Sequence, residues 1–309
     1  MISIVLRGGG RLSFLSGQGF TGGSDPESIH PELVSGSNEA EAAEIDKDRF
    51  RNEFGMTKTL RHPELVSGSF GFTLAEVLIT LGIIGIVAAL TLPSIIQKRY
   101  EKETVSRVKK AYTVLQQAFM MTVQENGTPD EWGATGMYES TSHIFLARKF
   151  IPYLKVTTDC TGMTTTKVAK YCTKKYADSA SYASIKIADG TTVIFRIWNG
   201  KCNNRYGTPK PLQNVCGEIL IDTNATGKPD IQGQDVFFFY LSKNGLYPIG
   251  TQFDKLSMKT HCTKTRVWGQ IYSGYLNGGA CTAWVLYNEN MDYLHCELDW
   301  ESGKKSCKK

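Results

Sequence analysis

The first half of this 309-residue chain contains no cysteine, and all eight cysteines follow Thr158. No two of them stand at the Cys-x-x-Cys spacing, which excludes the usual redox motif and the tight ligand pairs of a zinc finger. Isolated cysteines in the later part of a chain suit structural disulfides, which form in oxidising compartments. The asymmetry therefore predicts that the C-terminal part folds outside the cytoplasmic membrane.

Short loops cost the least chain entropy to close, so we expect each cysteine to pair with its sequence neighbour. Each bridge would add about 2–4 kcal/mol of stability. The sequence also allows many other pairings and does not choose among them. The expected bonds are Cys160 with Cys172, Cys202 with Cys216, Cys262 with Cys281, and Cys296 with Cys307.

Neither sign of charge is in large excess, because the chain contains 35 Lys and Arg and 30 Asp and Glu. This balance is far from the strongly basic composition of nucleic-acid-binding domains. Histidine is scarce, and the three histidines of the later part are His143, His261 and His295. None of them has a nucleophile at a recognisable spacing. We therefore expect no catalytic residues and no enzyme activity.

Residues 1–70 lack any sustained apolar period, so disorder is expected there. The sequence HPELVSGS at residues 30–37 recurs unchanged at 62–69, which is typical of a translated repeat element rather than a structural unit. Met56 opens a short basic stretch and could be the true start of translation. We interpret residues 1–55 as a disordered extension or a misassigned start, and residues 56–71 as a leader.

A long uncharged run follows, and residues 77–96 are twenty consecutive positions without a charged side chain. At about 1.5 Å per residue, such a helix spans the roughly 30 Å hydrocarbon core of a bilayer. Glu76 is a lone carboxylate at the edge of this run, and a carboxylate at membrane depth costs about 2.5–3.5 kcal/mol unless it finds a partner. A cut between Gly71 and Phe72 would create an amino terminus able to serve as that partner.

The sequence GFTLAEVLI at residues 71–79 resembles the class III signal of type IV pilins and type II secretion pseudopilins. The resemblance implies that a prepilin peptidase cuts between Gly71 and Phe72 and methylates Phe72. It also implies that Glu76 guides filament assembly and that Pro93 kinks the helix. The matching block ends near residue 97 and is short but specific.

The same resemblance implies partners and a location. The partners are copies of this chain and other pilins in a filament, the prepilin peptidase and the inner-membrane assembly platform. The chain would cross the cytoplasmic membrane once before assembly and would then become part of an extracytoplasmic, cell-surface filament. An ordinary secretory signal fits less well, because its apolar core is only about 7–15 residues long.

Two alternatives stay open. One is a minor pilin whose head binds DNA or a surface, using the basic C-terminus formed by Lys304, Lys305, Lys308 and Lys309. A solvated terminus is the more common meaning of such a lysine cluster. The other alternative is a single-span, membrane-anchored extracytoplasmic protein whose Gly71–Phe72 bond is not cut.

Residues 72–125 are predicted to form one long helix, with a membrane and assembly half at 72–97 and an amphipathic half at 98–125. In the second half, apolar residues recur at spacings of three and four: Val105, Val108, Tyr112, Leu115 and Phe119. Residues 126–309 carry strand signals, at 184–188, 192–197, 218–221 and 236–241, and the first two are joined by a two-residue primed turn at Asp189-Gly190. The prediction is an α+β fold: a long N-terminal hydrophobic helix packed on a C-terminal antiparallel β-sheet head with disulfide-held loops.

One acidic loop is a candidate calcium site. Oxygen-bearing side chains stand at alternate positions before a glycine, as in the first half of a calcium loop. The candidate ligands are Asp222, Asn224, Asp230 and Asp235, but the twelfth position is Gly233 where a calcium loop has a bidentate Glu. A plain Asx-rich turn between strands fits the same residues. We expect no other cofactor.

Overall fold

The computed structural model describes residues 71–137, 139–178, 180–268, 271–272 and 275–307. The predicted leader, the repeat and the candidate start at Met56 lie outside the described residues, as do Lys308 and Lys309. The helices are α1 (Leu74–Asn126), α2 (Ser140–Phe150), α3 (Thr165–Tyr171), α4 (Met258–His261) and α5 (Thr282–Asn288). The strands are β1 (Val156–Asp159), β2 (Ala183–Ile187), β3 (Thr192–Ile197), β4 (Val215–Asp222), β5 (Val236–Ser242), β6 (Gly245–Pro248), β7 (Ile271–Tyr272) and β8 (Tyr275–Leu276).

The first six strands form one antiparallel sheet in which every strand pairs with its neighbour in sequence. Strands β7 and β8 form a separate small pair. Side chains alternate between the two faces of a strand. Phe237 and Phe239 therefore share the inner face, which packs against α1, while Phe238 lies on the opposite, outer face. The predicted α+β fold, a long apolar helix with an antiparallel sheet and disulfides, is confirmed.

The second half of α1 is the central helix of the head. Val108 and Leu115 have no exposed surface, and Val105 and Phe119 are nearly buried. Tyr112 stacks on Phe239 of β5, with 5.4 Å between ring centroids. The predicted apolar stripe thus packs in the head's own core. The helix is unbroken through Pro93, and the kink predicted there stays a prediction.

The two-residue primed turn predicted between β2 and β3 is wrong. The Ile187 N–H donates to the Thr191 carbonyl, and the Gly190 N–H donates to the Ile187 carbonyl. The loop between these bonded residues is therefore residues 188–190. A primed type I turn needs positive φ at both central residues, whereas of Asp189 and Gly190 only the glycine has it, at 87°. The Asp189 carboxylate accepts the Thr191 N–H at 3.0 Å and fixes the longer loop.

Candidate functional site

The N-terminal part of α1, residues 74–97, has no covering partner among the described residues, and we call it the exposed half of α1. Its large apolar side chains point into solvent, with Leu74 at 80% and Leu90 at 77% exposed. By length and composition α1 can cross a membrane. An apolar surface of this size outside a head that has its own core indicates a contact with lipid or with protein.

A reciprocal cap between Thr73 and Glu76 closes the N-terminus of α1. Glu76 Oε2 accepts the backbone N–H and the hydroxyl of Thr73, both at 3.0 Å. In return, Thr73 Oγ1 accepts the Glu76 N–H at 3.2 Å. This capping box satisfies donors that a helix start leaves free. Glu76 therefore has a structural role that does not depend on any cleavage.

The junction between Gly71 and Phe72 lies just outside this cap. Both residues are exposed and precede the helix, and Phe72 is 84% exposed. Glu76 is four residues from Phe72, about one helical turn. An amino terminus created at Phe72 would therefore lie at the same end of the helix as the carboxylate.

The helix passes from its exposed half into the head at Glu101, which is only 8% exposed. Gln97 Nε2 donates to Glu101 Oε1 at 2.8 Å, and His295 Nε2 lies 2.8 Å from the same oxygen. Further along, Arg107 Nη1 donates to the Thr223 carbonyl at 2.9 Å. The contacts with His295 and Thr223 fasten α1 to the rest of the head directly after the apolar stretch.

The four disulfides join the cysteines that short loop closure favours. The sequence separations are 12, 14, 19 and 11 residues, for Cys160–Cys172, Cys202–Cys216, Cys262–Cys281 and Cys296–Cys307. No cysteine of the chain is left free. The cysteines therefore hold the loops around the sheet rather than a metal ion.

The β4–β5 connection contains the residues considered for calcium, and Asp235 organises it. Asp235 Oδ2 accepts the Asp230 N–H at 2.7 Å and the Asn224 side-chain amide at 2.9 Å, and Oδ1 accepts the Ile231 N–H at 2.6 Å. Asp222 Oδ1 accepts the Asn224 N–H at 3.2 Å. These contacts form an Asx-rich turn. The described residues hold no group of three or more His, Cys, Asp or Glu placed for a metal ion, and calcium binding stays a prediction.

Burial, and after it the charge of the neighbouring Asp235 carboxylate, raise the pKa of the Asp222 carboxyl to about 8. Burial also raises the pKa of Asp235, although the backbone donors of Ile231 and Asp230 act in the opposite direction. Two neighbouring buried carboxyls disfavour each other's charge. The Asp222 carboxyl therefore keeps its proton to a higher pH than an ordinary aspartate does.

His143 has a structural role. Its Nδ1 accepts the Ile197 N–H at 3.1 Å, which leaves Nε2 to donate to the Met137 carbonyl, also at 3.1 Å. Burial lowers the pKa of His143, in keeping with a neutral ring. Because backbone groups use both ring nitrogens, neither is left for acid–base chemistry.

A cleft on the outer face of the sheet is a second candidate site, and sequence reasoning missed it. Its volume is about 490 Å³, and Arg196 of β3 and Glu218 of β4 are among its lining residues. The available signal was one charged residue inside each of two apolar strands. Only the strand register shows that the two charges face each other.

The fold and the exposed half of α1 together define an α+β protein with one apolar helix long enough to cross a membrane. A family model described as "Family of unknown function (DUF6613)" matches residues 94–265. The match covers more than half of the chain, and the chain belongs to this family. It begins after Pro93 and so leaves out most of the apolar stretch. No curated protein and no solved structure matches the chain.

Proposed function

We propose that this protein is a structural subunit, a pilin or pseudopilin, of a type IV pilus or a type II secretion-like filament. One observation carries the proposal: a single helix is uncovered and apolar over residues 74–97 and then becomes the core helix of a disulfide-bonded head. A helix of a soluble protein would have its apolar residues buried. This one needs a membrane or neighbouring copies to cover its first half.

The mechanism is mechanical rather than catalytic. Before assembly the exposed half of α1 lies in the cytoplasmic membrane, with the head on the extracytoplasmic side. In the filament the same surface is buried against copies of itself and other pilins, which removes apolar area from water at about 25 cal/mol per Å². The inner-membrane assembly platform moves the subunit between the two states.

Glu76 and the junction between Gly71 and Phe72 set the axial register of the subunits. Cleavage by a prepilin peptidase leaves Phe72 as the amino-terminal residue, and methylation keeps its nitrogen positively charged. The Glu76 carboxylate neutralises the amino terminus of an adjacent subunit. In an apolar environment an unpaired carboxylate is costly, so only the register that pairs the two charges is favoured.

The test is the identity of the N-terminal residue in protein recovered from its own cells. Intact-mass and terminal-peptide analysis should find an N-methylated Phe72, with residues 1–71 absent. A chain that still begins at Met1 or Met56 would overturn the proposal. Such a result would favour the single-span anchored protein, because Glu76 would then have no amino terminus to meet.

A further inference from the structure

The outer cleft lies on the face of the sheet opposite α1, and two pairs of aromatic side chains line it. Tyr176 and Tyr182 pack edge to face at 5.2 Å between ring centroids. Trp198 and Tyr206 form the second pair at 5.0 Å. The volume of about 490 Å³ lies within the range of about 300–1,000 Å³ that is usual for small-molecule sites.

Arg196 and Glu218 supply the charges of this cleft. They stand directly opposite each other on β3 and β4, with 3.3 Å between Arg196 Nη1 and Glu218 Oε1. The Arg196 guanidinium also lies 5.1 Å from the centre of the Tyr182 ring. The neighbouring cross-strand pair on the same face, Ile194 with Leu220, is apolar and fully buried.

A buried ion pair is weak evidence for a role in the stability of the sheet. Replacing a buried ion pair by well-packed apolar residues is often neutral or stabilising, because both charges lose hydration. Burial raises the pKa of Glu218, and the charge of Arg196 opposes that rise. What the pair provides is a hydrogen-bond donor and an acceptor side by side at the base of an aromatic cleft.

The chemistry of the cleft selects its ligand. Aromatic faces pack against the C–H faces of a saturated ring, and the adjacent donor and acceptor match ring hydroxyls, which both donate and accept. Because the two charges are adjacent, an anion bound at Arg196 would be repelled by Glu218, and a cation bound at Glu218 would be repelled by Arg196. A strongly charged ligand is therefore disfavoured. We propose that the cleft binds a neutral mono- or disaccharide. The proposal rests on the head and does not depend on filament assembly.

The experiment is saturation-transfer NMR on the full chain in a detergent without a sugar headgroup. The probes are glucose, galactose, mannose, N-acetylglucosamine, maltose and lactose, with glucuronate and glucosamine as charged comparators. We expect at least one neutral saccharide to bind with a dissociation constant of about 1 mM or tighter. Trp198→Ala and Glu218→Gln should each weaken that binding at least about tenfold, a factor that corresponds to one lost contact of ordinary strength.

The matched control is Tyr287→Ala, since Tyr287 is 65% exposed and is not among the residues that line the cleft. Trp198→Phe keeps an aromatic face and should retain most of the affinity, which separates the loss of a contact from misfolding. Three outcomes would overturn the proposal. The first is no saturation transfer from the protein to any neutral saccharide at about 10 mM. The second is tighter binding of a charged comparator than of every neutral saccharide. The third is saccharide binding that neither Trp198→Ala nor Glu218→Gln weakens.

Discussion

Glu76 has two roles that a simple deletion cannot separate. It caps α1 through Thr73, and in the proposed filament it pairs with the amino terminus of a neighbour. Alanine removes both functions. Glutamine keeps an oxygen that can accept the Thr73 N–H, since Gln serves as well as Glu in a capping box, but it carries no charge.

We predict that Glu76→Gln abolishes filaments as completely as Glu76→Ala does, because in the proposed filament the register of the subunits depends on the charge of Glu76. Both variants should still be cleaved at Phe72 and should still insert into the membrane. Filament yield by shearing and electron microscopy measures assembly, and membrane fractionation measures insertion.

The matched variants are Thr73→Ala, which removes the hydroxyl part of the cap and keeps the carboxylate, and Glu103→Gln, which changes an exposed glutamate of the packed half. Both should assemble. If Glu76→Gln forms normal filaments and Thr73→Ala forms none, the role of Glu76 is capping alone.

At the scale of the element, the β4–β5 connection makes stability depend on pH. The folded-state pKa of Asp222, about 8, lies above its ordinary value of 3.8. A group raised in this way favours the folded state fully below pH 4, and the contribution is lost as the pH rises through 8. We predict that between pH 5 and pH 9 the melting temperature falls by several degrees more in the wild type than in Asp222→Asn, measured by circular dichroism.

Asp159→Asn is the control, because Asp159 is exposed and accepts an N–H donor of its own loop in a similar way. It should follow the wild-type profile. If the melting temperature of Asp222→Asn falls with pH as steeply as that of the wild type, the assigned pKa is contradicted.

Repeating the titration with Ca²⁺ tests the calcium prediction, since a bound cation would raise the melting temperature and Asp222→Asn would remove that rise.

Elements with a strong period could be predicted from the sequence, and elements held by distant contacts could not. The spacing of Val108 and Leu115 identified the packed half of α1, and the apolar runs identified β3, β4 and β5. Strand β1 has three consecutive polar residues after Val156 and gave no apolar signal. The β2–β3 turn was mistaken because Asp-Gly suits several loops, and the Asp189 side chain decides which one forms.

The candidate sites divide in the same way. The roles proposed for Gly71, Phe72 and Glu76 stay predictions, and the sequence alone can suggest them because they rest on a short contiguous block. The outer cleft could not, because Arg196 and Glu218 are 22 residues apart and meet only through strand register. The acidic residues of the β4–β5 connection could be listed from the sequence, but whether their oxygens face an ion or their own backbone depends on φ and ψ.

At the scale of the whole molecule, the disulfides differ in their access to solvent. Cys262 and Cys281 are buried in the main core, and Cys160 and Cys172 are buried in a smaller cluster. Cys307 is exposed. Because thiol–disulfide exchange needs access to a sulfur, we predict that Cys296–Cys307 is reduced first. Alkylation during a titration with reductant, followed by peptide mass analysis, should label these two cysteines before the other six.

The double variant Cys296→Ser/Cys307→Ser should lose the early labelling and keep the later step. Simultaneous labelling of all eight cysteines would show that the head opens as one unit before any bond is reduced. That outcome would contradict the independence of the C-terminal loop.

The placement of the cross-links also decides where the protein yields under tension. Every disulfide lies after Thr158, so none ties α1 to the sheet. A force that pulls on the exposed half of α1 would act parallel to the interface between α1 and the head. Apolar packing and a few polar contacts, such as the bond from Arg107 to Thr223, would resist that force. The sheet and its disulfide-bonded loops would stay intact while this interface separates. The interface between α1 and the sheet is therefore where the molecule fails first under tension.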